Sequence, residues 1–237
     1  MSRGLLALLI LSASVPAAPL PKAAPKKFEN FGTVAEVKGV KCESARPGEL
    51  RVSLSADAAS DTKEHGEVRP NFTRTVEGDF VLTVRITHTP PDDKNPAAVE
   101  NGETIAAAGI ALCKPDGKRG SLVVLNRLSK GRDGWDTYFK LSALYETTKA
   151  RGSIGALSSH HTFANAPVYL RLTRRGDKFT ATQSDDGKEW APVFEEPHEV
   201  PGLGPVAIGP VAVHNTNTAY DVTFDEYTLT TPPEKKK

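Results

Sequence analysis

The residues of this sequence best equipped to meet a ligand are Trp135 and Tyr138, interleaved with Asp133 and Asp136. A sugar site pairs an aromatic face, which stacks on C–H groups, with amides and carboxylates that hydrogen-bond the hydroxyls. His160, His161, Asn215 and Asn217 sit on other loops and could join that cluster. The plainer reading makes Trp135 and Tyr138 caps on the edge of the core. Hydrolysis has less to stand on, because glycosidases usually set two carboxylates across the scissile bond. Asp225 and Glu226 are neighbours in the chain. In a regular strand they point to opposite faces, which reads as a solvated strand end.

Other chemistries fare no better. A serine nucleophile on a Gly-x-Ser-x-Gly elbow needs a strand-to-helix turn. That motif is missing, and Gly152-Ser153-Ile154-Gly155 reads as a flexible loop. His160-His161 is the only His pair, and neighbours on a strand diverge, so surface polarity is preferred to a metal site. Calcium accepts carboxylate and carbonyl oxygens. Asp133, Asp136 and the Asn215/Asn217 loop could supply them, but without dense acidic spacing, and no other cofactor is implied. The stretch from Ser184 to Trp190 resembles an Asp-box. There Asp186 accepts turn N–H groups around Gly187 while Trp190 anchors the hairpin, a role preferred to sugar stacking. Arg175-Gly176-Asp177 reads as a hairpin turn rather than an integrin tripeptide, and Asn71-Phe72-Thr73 is a glycosylation sequon only in a eukaryotic secretory pathway. Cys42 and Cys113 are the only cysteines. In an oxidising compartment they either close a long loop as a disulfide or stay as two buried thiols.

The elements that must position these residues are strands. Phe80, Leu82, Val84 and Ile86 alternate with Thr83, Arg85 and Thr87, and Val168, Leu170 and Leu172 alternate with Tyr169, Arg171 and Thr173. This period of two recurs over 108–112, 122–128, 138–145, 179–183, 190–194, 206–213 and 220–229, with 33–40 and 50–54 as a first hairpin. Gly, Asp, Asn and Pro punctuate the runs, and no window carries an amphipathic helix. About ten such strands predict an antiparallel sandwich or barrel. Asp57 to Asn71 and His88 to Glu103 are polar, Pro-bearing and too long for ordinary hairpin loops.

Arg3, the apolar run Leu5 to Leu11 and the small residues Val15-Pro16-Ala17 make residues 1–17 a secretory signal, too short to span a bilayer. Residues 18–27 form a Pro/Ala/Lys-rich linker, 28–230 one sandwich domain, and 231–237 an unstructured tail. The expectation is a secreted or periplasmic protein without stable membrane insertion. A net charge of +1 argues against nucleic acid, which demands a strong local excess of Lys and Arg.

The ordered motifs Phe31-Gly32-Thr33-Val34, Cys42, Leu50-Arg51-Val52, Val76 to Phe80, Ala108 to Leu112, Tyr169 to Leu172, Gly187 to Trp190 and Val211 to Asp225 are similar to one bacterial set. They resemble the regulation-of-enolase-protein-like family, a domain of unknown function within the concanavalin A-like lectin/glucanase fold group. The resemblance implies a curved jelly-roll of two antiparallel sheets, in a fold whose members often bind glycans. Relatives often carry a polar, aromatic-bearing strand where this chain runs from Leu122 to Arg127, so only Arg127 keeps the charged character of a binding groove. The Glu-x-Asp-x-x-Glu pattern of the glucanases sharing this fold is missing. A non-catalytic carbohydrate-binding sandwich is therefore expected, with a structural or protein-interaction domain and a glycosidase-like enzyme as alternatives.

Overall fold

The computed structural model describes residues 26–34, 39–56, 67–68, 74–89, 105–113, 121–129, 135–142, 154–159, 166–214 and 218–232. The expected signal segment, most of the linker and the end of the tail lie outside them. The strands, in chain order, are β1 (Lys26–Phe28), β2 (Gly32–Val34), β3 (Val40–Glu43), β4 (Leu50–Leu54), β5 (Glu67–Val68) and β6 (Thr75–Val76). They continue with β7 (Phe80–Thr89), β8 (Ile105–Cys113), β9 (Ser121–Ser129), β10 (Trp135–Ser142), β11 (Ile154–Ser159) and β12 (Val168–Arg175). The last are β13 (Lys178–Ser184), β14 (Ala191–Pro192), β15 (His198–Glu199), β16 (Val206–His214) and β17 (Tyr220–Thr230). Among the described residues no helix is long and apolar enough to cross a membrane.

Apart from a separate two-stranded ribbon, β1-β2, the strands form two large antiparallel sheets. One runs β11-β10-β9-β8-β16-β5 with β6 also on β16, and the other runs β14-β13-β12-β7-β17-β4-β3 with β15 also on β13. The first hairpin joins β3 to β4, not 33–40 to 50–54, because Gly32–Val34 pairs back onto Lys26–Phe28. Lys26 and Lys27 therefore belong to a strand rather than to the linker. Ile154 and Gly155, expected in a flexible loop, begin β11.

Period-two burial drives the assembly. In β7 every even residue from Phe80 to His88 is buried, and in β12 Val168, Leu170, Leu172 and Arg174 are. The apolar ones among them meet Ala106, Ala108, Ile110 and Leu112 of β8 and Val206, Ile208 and Ala212 of β16 in one core. Burying each Leu, Ile or Phe contributes on the order of 1.5–3 kcal/mol, enough for packing of the two inner faces to hold the sheets together.

At one end the interior turns polar. His88 Nδ1 and the Tyr220 hydroxyl share a 2.6 Å hydrogen bond, and His214 Nε2 donates to the Ser55 carbonyl at 3.0 Å. His88, expected in a loop, is thus a core residue of β7, because the alternation runs two residues further than the apolar pattern. Burial pushes the Tyr220 phenol well up and pulls the His214 imidazole down, the latter partly offset by its bond to Ser55.

Two outcomes follow from this packing. Leu82→Ala, in a strand flanked by β12 and β17, is expected to lower the unfolding free energy by about 2–5 kcal/mol in urea titrations; a loss below about 1 kcal/mol would contradict its place in the core. Because burial lowers the His214 pKa in the folded chain below the roughly 6.5 of an unfolded histidine, the unfolded chain binds more protons in mild acid. Stability should therefore be full above about pH 6.5 and fall as the pH drops below it, with His198, also depressed by burial, acting in the same direction. Thermal melts from pH 5 to 8 check this, and His214→Gln should flatten the slope.

Candidate functional site

The core-facing residues of β7 and β12 oblige their alternates to face away from the sandwich. Antiparallel pairing aligns Tyr169 with Arg85 and Arg85 with Asp225, while in the next row Arg171 aligns with Thr83 and Thr182. Neighbouring strands lie about 4.8 Å apart. One outward face thus carries an aromatic ring, two guanidinium groups and a carboxylate in adjoining positions.

At the centre is Asp225. Arg85 donates to it through Nε at 2.7 Å and Nη2 at 2.6 Å, a two-bond clamp, and Arg46 Nη2 adds a contact at 3.2 Å. Arg85 also pairs through Nη1 with Glu226 Oε1 at 2.9 Å, and the Tyr169 hydroxyl donates to Glu226 Oε2 at 3.2 Å. The hydrogen bonds from Arg85 to Asp225 push its pKa above the usual arginine value despite partial burial.

Sequence alternation sends Asp225 and Glu226 to opposite faces, yet both meet one guanidinium. The cause is a β-bulge. The pairing of β17 with β7 steps from Asp225↔Arg85 to Thr228↔Thr83, so Glu226 and Tyr227 together oppose Val84. Glu226 takes a left-handed φ of 48°. The extra residue reverses the parity of the strand. Tyr220, Val222 and Phe224 are buried before it and Tyr227 after it, where Tyr227 packs against Phe31 with ring centroids 4.8 Å apart. Asp225 is itself buried, at 6% exposure, so the solvated-strand-end reading is corrected for this residue.

Beside the clamp stands the turn from Ser184 to Trp190. Asp186 Oδ1 accepts the backbone N–H groups of Glu189 at 2.9 Å and Lys188 at 2.8 Å, and these bonds hold its pKa below the usual carboxylate value. Gly187 takes φ 75°, and a Cβ there would stand 3.1 Å from the Tyr169 ring. Trp190 Nε1 donates to the Gly187 carbonyl at 3.2 Å, its ring meets Tyr169 edge-on, and Arg171 stacks on it with Cζ 3.6 Å from the centroid. The turn therefore presents Trp190 to the sheet's outward face rather than only bracing a hairpin.

Of the ligand-binding residues expected from sequence, Asp133, His160, His161, Asn215 and Asn217 lie outside the described residues. Arg127, on β9, pairs directly with Asp136 of β10, and both share a register row with Ala107. Tyr138 aligns with Leu125 and Gly109 in a neighbouring row of the same parity, whereas Trp135 aligns with Leu128 and Ala106, positions of the other parity. The backbone thus brings Arg127, Asp136 and Tyr138 to adjoining positions and sets Trp135 apart. The calcium reading rests mainly on residues outside those described. Among the described residues no group of three or more His, Cys, Asp or Glu could hold a metal ion. Cys42 lies on β3 and Cys113 ends β8, in different sheets.

No family model matches the chain, and no curated protein matches it either. Solved structures do. A functionally unknown protein from Saccharomyces cerevisiae aligns at 18% identity over 83% of this chain and 94% of its own, with a TM-score of 0.58. The chain is a concanavalin A-like jelly-roll sandwich. A xylan β-1,4-xylosidase from Bacillus halodurans C-125 aligns at 14% identity and TM-score 0.51 over 91% of this chain, which spans only 41% of that enzyme. A family 7 alginate lyase, A1-II′, aligns at 11% identity over 85% of each chain, with a TM-score of 0.49. At such identities the likeness concerns fold alone, and membership of the regulation-of-enolase-protein-like family receives no support from it.

The clamp predicts its own fragility. Asp225→Asn removes the better buried of the two carboxylates that Arg85 pairs with and should destabilise by roughly 1–3 kcal/mol, a buried-pair cost reduced by the exposure of Arg85. Guanidinium chloride would mask charge effects, so urea titration is the appropriate measurement; an unchanged midpoint would show that Arg85 finds another partner.

Proposed function

We propose that this protein is an exported, non-catalytic sandwich that binds an extracellular or cell-envelope carbohydrate on the outward face of its eight-stranded sheet. The observation carrying the reading is the juxtaposition of Trp190, Tyr169, Arg171 and the Arg85–Asp225 clamp, which combines aromatic surface with converging hydrogen-bonding groups. Saccharides are held by that combination. Export rests on the signal-like residues 1–17, and kinship to the regulation-of-enolase-protein-like family rests on the ordered motifs alone. The fold shared with a protein named as a xylan β-1,4-xylosidase agrees with a carbohydrate ligand.

Two features bear on the alternatives. A flat face lined by Val and Leu would favour a protein-interaction domain, whereas this one carries charge and aromatic rings. A glycosidase needs two carboxyl groups free to act across a bond, as acid and as base or nucleophile. Asp225 and Glu226 instead share the Arg85 guanidinium, which suits holding a ligand rather than cleaving it.

Glycan-array screening of the purified protein, followed by titration of the best ligand, tests the reading. Binding is expected to weaken about tenfold in Tyr169→Ala, with its melting curve recorded alongside to show that the fold persists. Silence toward plant, microbial and host polysaccharides would refute it, and bond cleavage during the titration would revive the enzyme.

A further inference from the structure

Five arginines mark the outward face of the eight-stranded sheet among the described residues, and they are not equivalent: Arg175, at the exposed end of β12, reaches Asp79 at 4.0 Å. Arg46 pairs with Glu49 and Asp225, Arg51 with Asp221, and Arg85 with Asp225 and Glu226. Arg171 has no carboxylate partner among the described residues. Its Nε donates to Thr83 Oγ1 at 3.3 Å, and its guanidinium lies flat on Trp190. The stack fixes the plane of the group and the Thr83 bond fixes its rotation. What remains are the Nη donors, oriented but without an acceptor among the described residues.

Such an arrangement leaves donors that solvent or a ligand must take up. Partial burial lowers the pKa of Arg171, with no acidic neighbour opposing the shift, whereas the Arg85 pKa is raised by its bonds to Asp225. A partly desolvated cation without a counter-charge gains more from an anion than a fully solvated one does. The Thr182 hydroxyl, aligned with Arg171 across the ladder, is also buried without a hydrogen-bond partner among the described residues.

We infer that Arg171 reads an anionic group on the ligand, and that the ligand is an acidic glycan whose uronate carboxylate takes the Arg171 Nη donors. The inference rests on the carbohydrate-binding reading and narrows it to a substrate class. A planar guanidinium matches a planar carboxylate through two parallel N–H···O bonds. It carries a single positive charge, and no second unpaired arginine stands beside it on this face among the described residues, so a monoanion fits better than a dianion. Trp190 gives the platform that keeps the guanidinium flat, and the Tyr169 ring extends the aromatic surface beside it.

Affinity electrophoresis of the purified protein tests this, with polygalacturonate, alginate, fully methyl-esterified polygalacturonate, neutral xylan or dextran sulfate cast in the gel. Retardation by at least one of the two polyuronates is expected, and none by the esterified polymer. Arg171→Gln should weaken that retardation at least tenfold, and Arg171→Lys, which keeps the charge but not the fork, should fall between. Melting curves show whether each variant is folded; if Arg171→Gln is not, the Arg171→Lys and esterification results decide. Equal retardation by xylan or by the ester overturns the acidic assignment while leaving carbohydrate binding intact. Retardation by dextran sulfate as strong as by a polyuronate overturns the carboxylate assignment. Undiminished polyuronate binding by folded Arg171→Gln removes Arg171 from the site. Retardation by no polymer at all, together with a silent array, overturns the carbohydrate reading and this inference with it.

Discussion

Every second side chain of β7, from Phe80 to His88, is enclosed by the opposing sheet, and period-two geometry then leaves Val81, Thr83, Arg85 and Thr87 no choice of face. Arg85 is the residue for which this matters most. It is half-buried between Tyr169 and β17, so its charge needs a partner that the ladder itself brings near. Register supplies that partner at Asp225, directly opposite. A slip of one residue between β7 and β17 would turn the carboxylate into the core and strand both charges. The apolar core and the polar face thus select the same alignment.

The bulge at Glu226 is where the two demands diverge. Up to Phe224 the even residues of β17 fill the core; beyond it Tyr227 must fill the gap beneath Phe31. Inserting one residue satisfies both, and its by-product is a second carboxylate on the same side as the first. Arg85 is therefore neutralised twice over while Arg171, one row away, is not. A backbone irregularity that serves packing ends up distributing charge across the surface.

Much of this architecture was legible in the chain. The alternation through β7, β12, β13 and β17 predicts which residues are interior, and the turn residues predict where the strands end. Asp186, Gly187 and Trp190 can be read as a braced turn because all of its hydrogen bonds are local. The two-residue strands β5, β6 and β15 were not legible, since each depends on an edge that distant segments create, and of the run expected over 190–194 only Ala191–Pro192 pairs, as β14. Neither was the outward cluster. Tyr169, Arg85 and Asp225 are far apart in sequence, and their meeting follows from which strands pair and in which register. Alternation alone misjudged Asp225 and Glu226 because it contains no signal for an inserted residue. Trp135 and Tyr138 are close in the chain, but a spacing of three gives positions of opposite parity on a strand.

Arg174 has one further consequence. Its side chain points into the core end of β12, and its guanidinium donates to the carbonyls of Gly176, Gly204 and Leu203. The first belongs to the hairpin of one layer; the other two lie on the approach to β16, in the other layer. Packing between two pleated layers resists separation but has little directional preference, so it does little to prevent sliding. The fan of bonds from Arg174 acts as a dowel between the layers: a tangential load at this end of the sandwich meets directed hydrogen bonds before it meets the grease-like contact of Leu and Phe.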